Sequence, residues 1–349
     1  MSSIKSNFED LKLKAYDVYK KNDKPTKSES IVYFRKCIAD SVKLIFKEKE
    51  IIVFAILQLV CIGLGYYLWV NILNWIPEEI WDEYKEKDDG SVIDLVFLLW
   101  SFFCVGLTAY PLGILTACMG TAHFLHENDG ESTVAKCLRI VLSRSWPIWI
   151  FSWVDGWWTV MRILERLPKK NDRTPRSTKL INEATYQAWK IASLGVIPSL
   201  IIGRSVADCC KDSLAFLRVR FKVICQLRIA YSFICWFFGI ASYVGGIFLA
   251  PYILSKMSSN NDMYTFYVYV GIPMLIALFF IQVIFRPIYI LTVCRIYSNF
   301  IRECKVPVVF PSVSKFSSSI IAFLLLGVII FAVFLYRDEL GITQMLSKM

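Results

Sequence analysis

Histidine is almost missing from this 349-residue chain, which has only His123 and His126. Charge is scarce as well, at 19% of residues, whereas soluble chains carry about 25%. The shortage of charge excludes the two soluble domains that this length would otherwise suggest. There is no P-loop, dinucleotide fingerprint, nucleophile elbow or paired-carboxylate constellation. Neither His-Glu-x-x-His nor Cys-x-x-Cys occurs, so no cofactor is expected and an enzyme is disfavoured. An N-terminal signal peptide is not expected either: the first fifty residues are polar, with twelve Lys/Arg and eight acids.

What the chain does have is apolar. Hydrophobic residues make up 56%, mean hydropathy is +0.50, and there are 11 Trp, 17 Tyr and 25 Phe. The fold class that follows is all-α: a polytopic α-helical membrane protein. Five runs are long enough to cross about 30 Å of hydrocarbon. They are Ile51–Trp75, Val92–Met119, Ile229–Leu254, Tyr264–Phe285 and Ser317–Tyr336. The last contains thirteen Leu, Ile, Val or Phe, which favours insertion by about 4–8 kcal/mol. Two other segments are marginal. Trp146–Leu164 has seven such residues, worth about 2–4 kcal/mol, but Asp155 at its centre costs about 2.5–3.5. Tyr186–Gly203 is interrupted by Lys190 and Pro198.

The net charge of +10 reports orientation. Twelve Lys/Arg precede the first span, seventeen lie between Gly120 and Arg228, and five between Arg286 and Lys315. Ile76–Ser91 instead carries seven acids against Lys85 and Lys87. The N-terminus is therefore expected in the cytoplasm and the C-terminus outside, in a cell membrane (the inner one in a Gram-negative cell). Full crossing by both marginal segments would put Arg166, Lys169, Lys170, Arg173, Arg176 and Lys179 outside. Charge thus favours five spans with an interfacial or re-entrant pair. The chain divides into cytoplasmic helices (1–50), a spanning hairpin (51–119) and a region with the marginal segments (120–228). A second hairpin (229–285), a connection (286–316) and a last span with a short tail (317–349) follow. All eleven cysteines avoid the expected outside loops, so they are read as reduced thiols behaving as small apolar residues.

Ile31, Phe34, Ile38, Val42 and Ile45 recur at helical spacing, with Arg35, Lys36, Lys43 and Lys47 on the remainder. Such a helix either lies among headgroups, basic side chains towards anionic lipid, or packs on the protein's own cytoplasmic face. A shorter pattern, Phe8, Leu11, Ala15 and Val18, precedes it. Asp40-Ser41 before the first span is echoed by Asp212-Ser213 before the third, an offset near 172 residues that suggests parallel repeats. His123 and His126 share a helical face near Glu127 and are weak candidates for a metal. Asp155, among five Trp, is either an intramembrane group partnered by Lys190, Arg228 or Arg162, or a water-facing residue on an interfacial helix. The Ala241-x-x-x-Gly245 and Gly113-x-x-x-Ala117 steps permit close helix packing.

The run from Ser41 through Lys47-Glu48-Lys49-Glu50 to Phe54 resembles the opening of an uncharacterised family of prokaryotic multi-pass membrane proteins. Asn182-Glu183-Ala184, Trp189-Lys190 and Val196-Ile197-Pro198 resemble a second stretch of that family, and Ser213–Phe216 a following helix. The resemblance spans about residues 30–255 and implies a basic helix ahead of a spanning hairpin, with no activity attached. The residues themselves lead to an expectation of a scaffold or subunit that organises anionic lipid, a protein partner or its own copies through a basic cytoplasmic face. The alternatives are a transporter using Asp155, Lys190 and Arg228, and a membrane-embedded lipid-modifying enzyme. Nucleic acid is not an expected partner.

Overall fold

The computed structural model describes residues 27–70, 92–128, 130–166, 176–256, 267–304, 310 and 318–336. Every element among them is helical. In chain order they are α1 (Lys27–Lys47), α2 (Glu50–Val70), α3 (Val92–Glu127), α4 (Val134–Leu142), α5 (Ser145–Arg166) and α6 (Arg176–Ala192). Next come α7 (Val196–Ile201), α8 (Val206–Lys256), α9 (Ile272–Phe279), α10 (Arg286–Glu303) and α11 (Ser318–Leu335). Four stretches are long and apolar enough to cross a membrane: Glu50–Val70, Phe97–Glu127, Val206–Tyr252 and Tyr269–Glu303. The fifth expected run forms α11, whose shorter apolar part is Ile320–Ile329. The Phe8–Val18 pattern, the acidic stretch 76–91, the basic loop 167–175 and the tail after 336 lie outside the described residues.

Several helices outrun the bilayer. At 1.5 Å per residue the 51-residue α8 is about 77 Å long and the 36-residue α3 about 54 Å, against about 30 Å of hydrocarbon. The extra turns are the polar segments flanking the apolar runs.

The helices group into two compact units, one from residues 1–59, 116–137 and 187–310, the other from 60–115, 138–186 and 311–349. In the first, α8 lies antiparallel to the stretch 267–303. Phe216 meets Phe300, Tyr231 meets Tyr289, Phe238 meets Phe280, and Gly246 meets Pro273. A Cβ on Gly246 would run into the Pro273 ring, so this crossing needs glycine. Gly245, from the expected small-residue step, has nothing within 4 Å. Each proline follows a π-helical segment, Tyr267–Gly271 before Pro273 and Phe280–Phe285 before Pro287. A proline has no N–H to give and clashes with the carbonyl four residues back, and the wider turn relieves both.

The helix α1 runs antiparallel to α10. Thr292 Oγ1 donates to Ser41 Oγ (3.1 Å), Arg295 reaches Asp40 (3.3 Å), and Asn299 Nδ2 donates to Tyr33 (2.9 Å). Its buried residues are Ser30, Cys37, Ser41 and Leu44. That corrects the expected apolar face: Ile31 is exposed, and Phe34, Ile38, Val42 and Ile45 are only half-buried. Small hydroxyl and thiol side chains win the docked face because they let α10 come close and offer its polar groups partners. The segment Tyr186–Gly203 is not one helix. It breaks after Ala192, forms the six-residue, largely buried α7, and ends at Gly203 with φ 87°.

In the second unit α5 packs antiparallel along α3. Trp149 Nε1 donates to the Gly106 carbonyl (2.8 Å) and Trp153 Nε1 to that of Phe102 (3.0 Å). Gly106 leaves room for the Trp153 indole, and Gly113 for Ser152 and Ile148. Trp100 and Cys104 form a core with Leu68, Trp69, Phe97, Leu107 and Leu326, and Tyr110 stacks on Phe323 of α11 at 4.3 Å. Gly106→Val should destabilise the protein by about 1–3 kcal/mol through this overpacking. Thermal unfolding of the detergent-solubilised chain measures it, with Gly245→Ala, which meets nothing, expected to stay near wild type.

Candidate functional site

The polar extensions of the first unit carry a charge network built on one buried carboxylate. Glu127, at the end of α3, has only 4% of its side chain exposed. Arg295 holds it at 2.5 Å and Arg302 at 3.3 Å, Ser298 donates to it, and His123 Nε2 lies 3.5 Å away. A carboxylate so far from water needs this many donors to remain charged. Arg295 also pairs with Asp40, so a single guanidinium ties α1, α3 and α10 together.

A second set of contacts locks the ends of the same helices. Glu48, in the short break between α1 and α2, accepts from His126 Nδ1 (2.9 Å) and from Ser132. Arg220, at the non-helical kink in α8, pairs with Glu303 and lies 5.3 Å from the Tyr33 ring centre. Burial pushes the Tyr33 phenol up to about 12, which keeps it a neutral hydrogen-bonding group. His123 and His126 thus turn to different carboxylates. Among the described residues no group of three His, Cys, Asp or Glu is arranged to hold a metal. All eleven cysteines are free thiols, and burial raises Cys137 to about 12, far from its reactive form.

On the exposed side of α1 stand Arg35, Lys36, Lys43 and Lys47, together with Ile31, Val32 and Phe46. The buried polar contacts with α10 hold this basic face in place.

One polar cluster was not anticipated. Gln58 Nε2 donates to Thr116 Oγ1 (2.7 Å), and Gln282 Nε2 donates to Gln58 Oε1 (3.3 Å). All three are buried, within α2, α3 and the second π-helical segment, inside stretches apolar enough to span a membrane. A lone amide in an otherwise apolar run was the available signal, since at membrane depth it must find a partner.

Asp155 lies on α5, half-buried, one residue before Gly156, where an added Cβ would come within 3.2 Å of Val105. Its expected partner Arg162 is buried and pairs with Glu165 and with Glu183 (3.5 Å). Lys190 on α6 and Arg228 on α8 belong to the other unit. Trp149, Trp153 and Trp157 pack against α3 through Tyr110 and Phe102.

No family model, curated protein or solved structure matches this chain. The resemblance to the uncharacterised prokaryotic family therefore rests on its short motifs, and function has to be argued from the residues.

Removing the central carboxylate should be costly. Glu127→Gln leaves Arg295 and Arg302 facing a neutral amide in a buried site, and about 2–4 kcal/mol of stability should be lost. Glu303→Gln, at a more open pair, should lose less than about 1 kcal/mol. Thermal unfolding of the two variants side by side checks the order; equal losses would remove Glu127 as the hub.

Proposed function

We propose that this chain is a non-enzymatic scaffold or subunit of the cytoplasmic membrane, with its N-terminus inside and its C-terminus outside. Its basic helical bundle would engage an acidic partner protein on the cytoplasmic side. The observation that supports this is the antiparallel docking of α1 on α10, which continues directly from an apolar stretch. A helix paired in this way runs along an axis leaving the membrane instead of lying flat among headgroups. Tyr33 sits opposite Asn299, thirteen residues beyond Arg286 and so about 20 Å along the helix. Electrostatic attraction to lipid fades over about 8 Å at physiological salt. Arg35 and Lys36 are therefore better placed for a protein surface, while Lys43 and Lys47 stand nearer the headgroups.

Poly-glutamate serves as the acidic probe against full-length protein in nanodiscs of neutral lipid. Wild type should bind at least tenfold more tightly than Arg35→Glu/Lys36→Glu, and the difference should shrink with salt. Equal binding by the two would remove the docking face.

A second reading, a transporter, is favoured by one observation. The α5 indoles donate to carbonyls at Phe102 and Gly106, near the midpoint of the run Val92–Met119. Such contacts favour α5 crossing beside α3 over the interfacial or re-entrant arrangement suggested by charge, with the chain returning through α6 and α7. Seven crossings preserve the expected ends and put Asp155 at membrane depth. A cysteine at Asp172, in a background without the native cysteines, should then react with an impermeant maleimide on intact cells. Protection of that site would restore the five-span arrangement. The scaffold reading expects no proton or solute flux in proteoliposomes; flux that Asp155→Asn abolishes would replace it with the transporter.

A further inference from the structure

The antiparallel hairpin of the first unit brings together two copies of one short pattern. Arg228-Ile229-Ala230-Tyr231 lies on α8 and Arg286-Pro287-Ile288-Tyr289 on α10. In each, arginine and tyrosine are three residues apart and so share a helical face. The two tyrosine rings meet, with centroids 4.4 Å apart. Because the helices are antiparallel, one arginine lies a turn above the ring pair and the other a turn below, each about 4.5 Å along the axis. Arg286 lies near enough to act on the Tyr231 hydroxyl, and Arg228 on the neighbouring Cys235 thiol. The Nε of Arg228 is buried without a hydrogen-bond partner.

The depth of this cluster narrows the choice of ligand. Arg228 directly precedes the run Ile229–Leu254 and Arg286 directly follows Tyr264–Phe285, so the cluster straddles one border of the apolar layer, with Arg286 about 9 Å deeper than Arg228. Tyrosines are favoured at that level, and long arginine side chains bring their charge to it while their stems stay among apolar groups. Ile229, Phe233 and Ile284, on the same two helices, are exposed at 69%, 62% and 39%. Two guanidinium groups suit a phosphate with charge-assisted, bidentate hydrogen bonds. The exposed apolar neighbours suit the acyl chains below it.

We propose that Arg228 and Arg286, with Tyr231 and Tyr289 between them, form a site for the phosphate of a membrane lipid, preferring lipids of net negative charge. This site is independent of the partner-docking face on α1. It also gives Arg228 a role that needs neither Asp155 nor Lys190.

The test uses the full-length protein purified in mild detergent and native mass spectrometry, titrated separately with phosphatidylglycerol and phosphatidylcholine. Wild type should hold one phosphatidylglycerol at least tenfold more tightly than phosphatidylcholine. Arg228→Gln/Arg286→Gln should remove that preference, and Lys211→Gln, on an exposed turn of α8 seventeen residues before Arg228, should keep it. If the glutamine pair does not fold, Arg228→Lys/Arg286→Lys keeps both charges. It should retain the preference for the anionic lipid while binding it severalfold more weakly, because a lysine cannot make the bidentate contact. Millimolar inorganic phosphate separates the sources: a lipid site keeps its adduct, and displacement of the lipid would mark a site for free phosphate and overturn the lipid assignment. Equal affinity for the two lipids in wild type, or an unchanged preference in both arginine variants, would also overturn the proposal.

Discussion

The constraint on which this structure depends is that a polar group withdrawn from water must find its partner inside the protein. The chain meets it in three ways. Two indoles of α5 donate to carbonyls of α3, so the tryptophans join helices through the backbone. Two glutamines and a threonine connect the apolar stretches that hold them. Where prolines interrupt a stretch, π-helical turns widen the ladder ahead of them. Apolar side chains alone would associate weakly between helices in lipid, because lipid tails are as apolar as they are. Register is therefore set by these few polar contacts, helped by Gly106 and Gly246, where a partner ring occupies the space of a side chain.

The apolar runs were legible because insertion energy adds residue by residue along the chain: four of them fall in helices long and apolar enough to cross a membrane, and the fifth in the shorter α11. Their continuation was not. The turns of α10 beyond Arg286 and the first turns of α8 carry charges that look like loops when hydropathy is read alone. Burial of Leu291, Ile296, Tyr297 and Phe300, together with the pairing of Glu303 with Arg220 and of Arg295 with Glu127 and Asp40, stabilises them as helix. The docked side of α1 was misassigned for a related reason. Apolar periodicity pointed to Ile31 and Phe34, while the partner helix offers Thr292, Arg295 and Asn299, which select Ser41, Asp40 and Tyr33. The five tryptophans suggested an interface because indoles are common there, and nothing local in the sequence distinguishes that from packing on a glycine-bearing neighbour.

The unsatisfied groups are informative because the rest of the chain obeys the constraint so widely. His123 is buried with neither ring nitrogen hydrogen-bonded, yet it faces Glu127, whose demands are met by two arginines and a serine. Its ring packs edge-on against Phe124 and fills space beside the network without joining it by a hydrogen bond. Arg228 is different, because its charge cannot be removed by losing a proton. A guanidinium at the border of an apolar layer must be answered by an anion, by water or by its own position at the surface.

The internal echo has a structural counterpart at two helix junctions. The break between α1 and α2 falls at Glu48 and Lys49, and the kink in α8 falls at Arg220, the same offset that relates Asp40-Ser41 to Asp212-Ser213. At each junction a charged side chain ties the chain to the far end of the next long helix. Glu48 reaches His126 near the end of α3, and Arg220 reaches Glu303 at the end of α10. The two junctions carry opposite charges, an acid at Glu48 and a base at Arg220, and each is matched to the group it meets. Opposite charges at the two junctions discriminate between partners in the way charged flanks do in coiled coils.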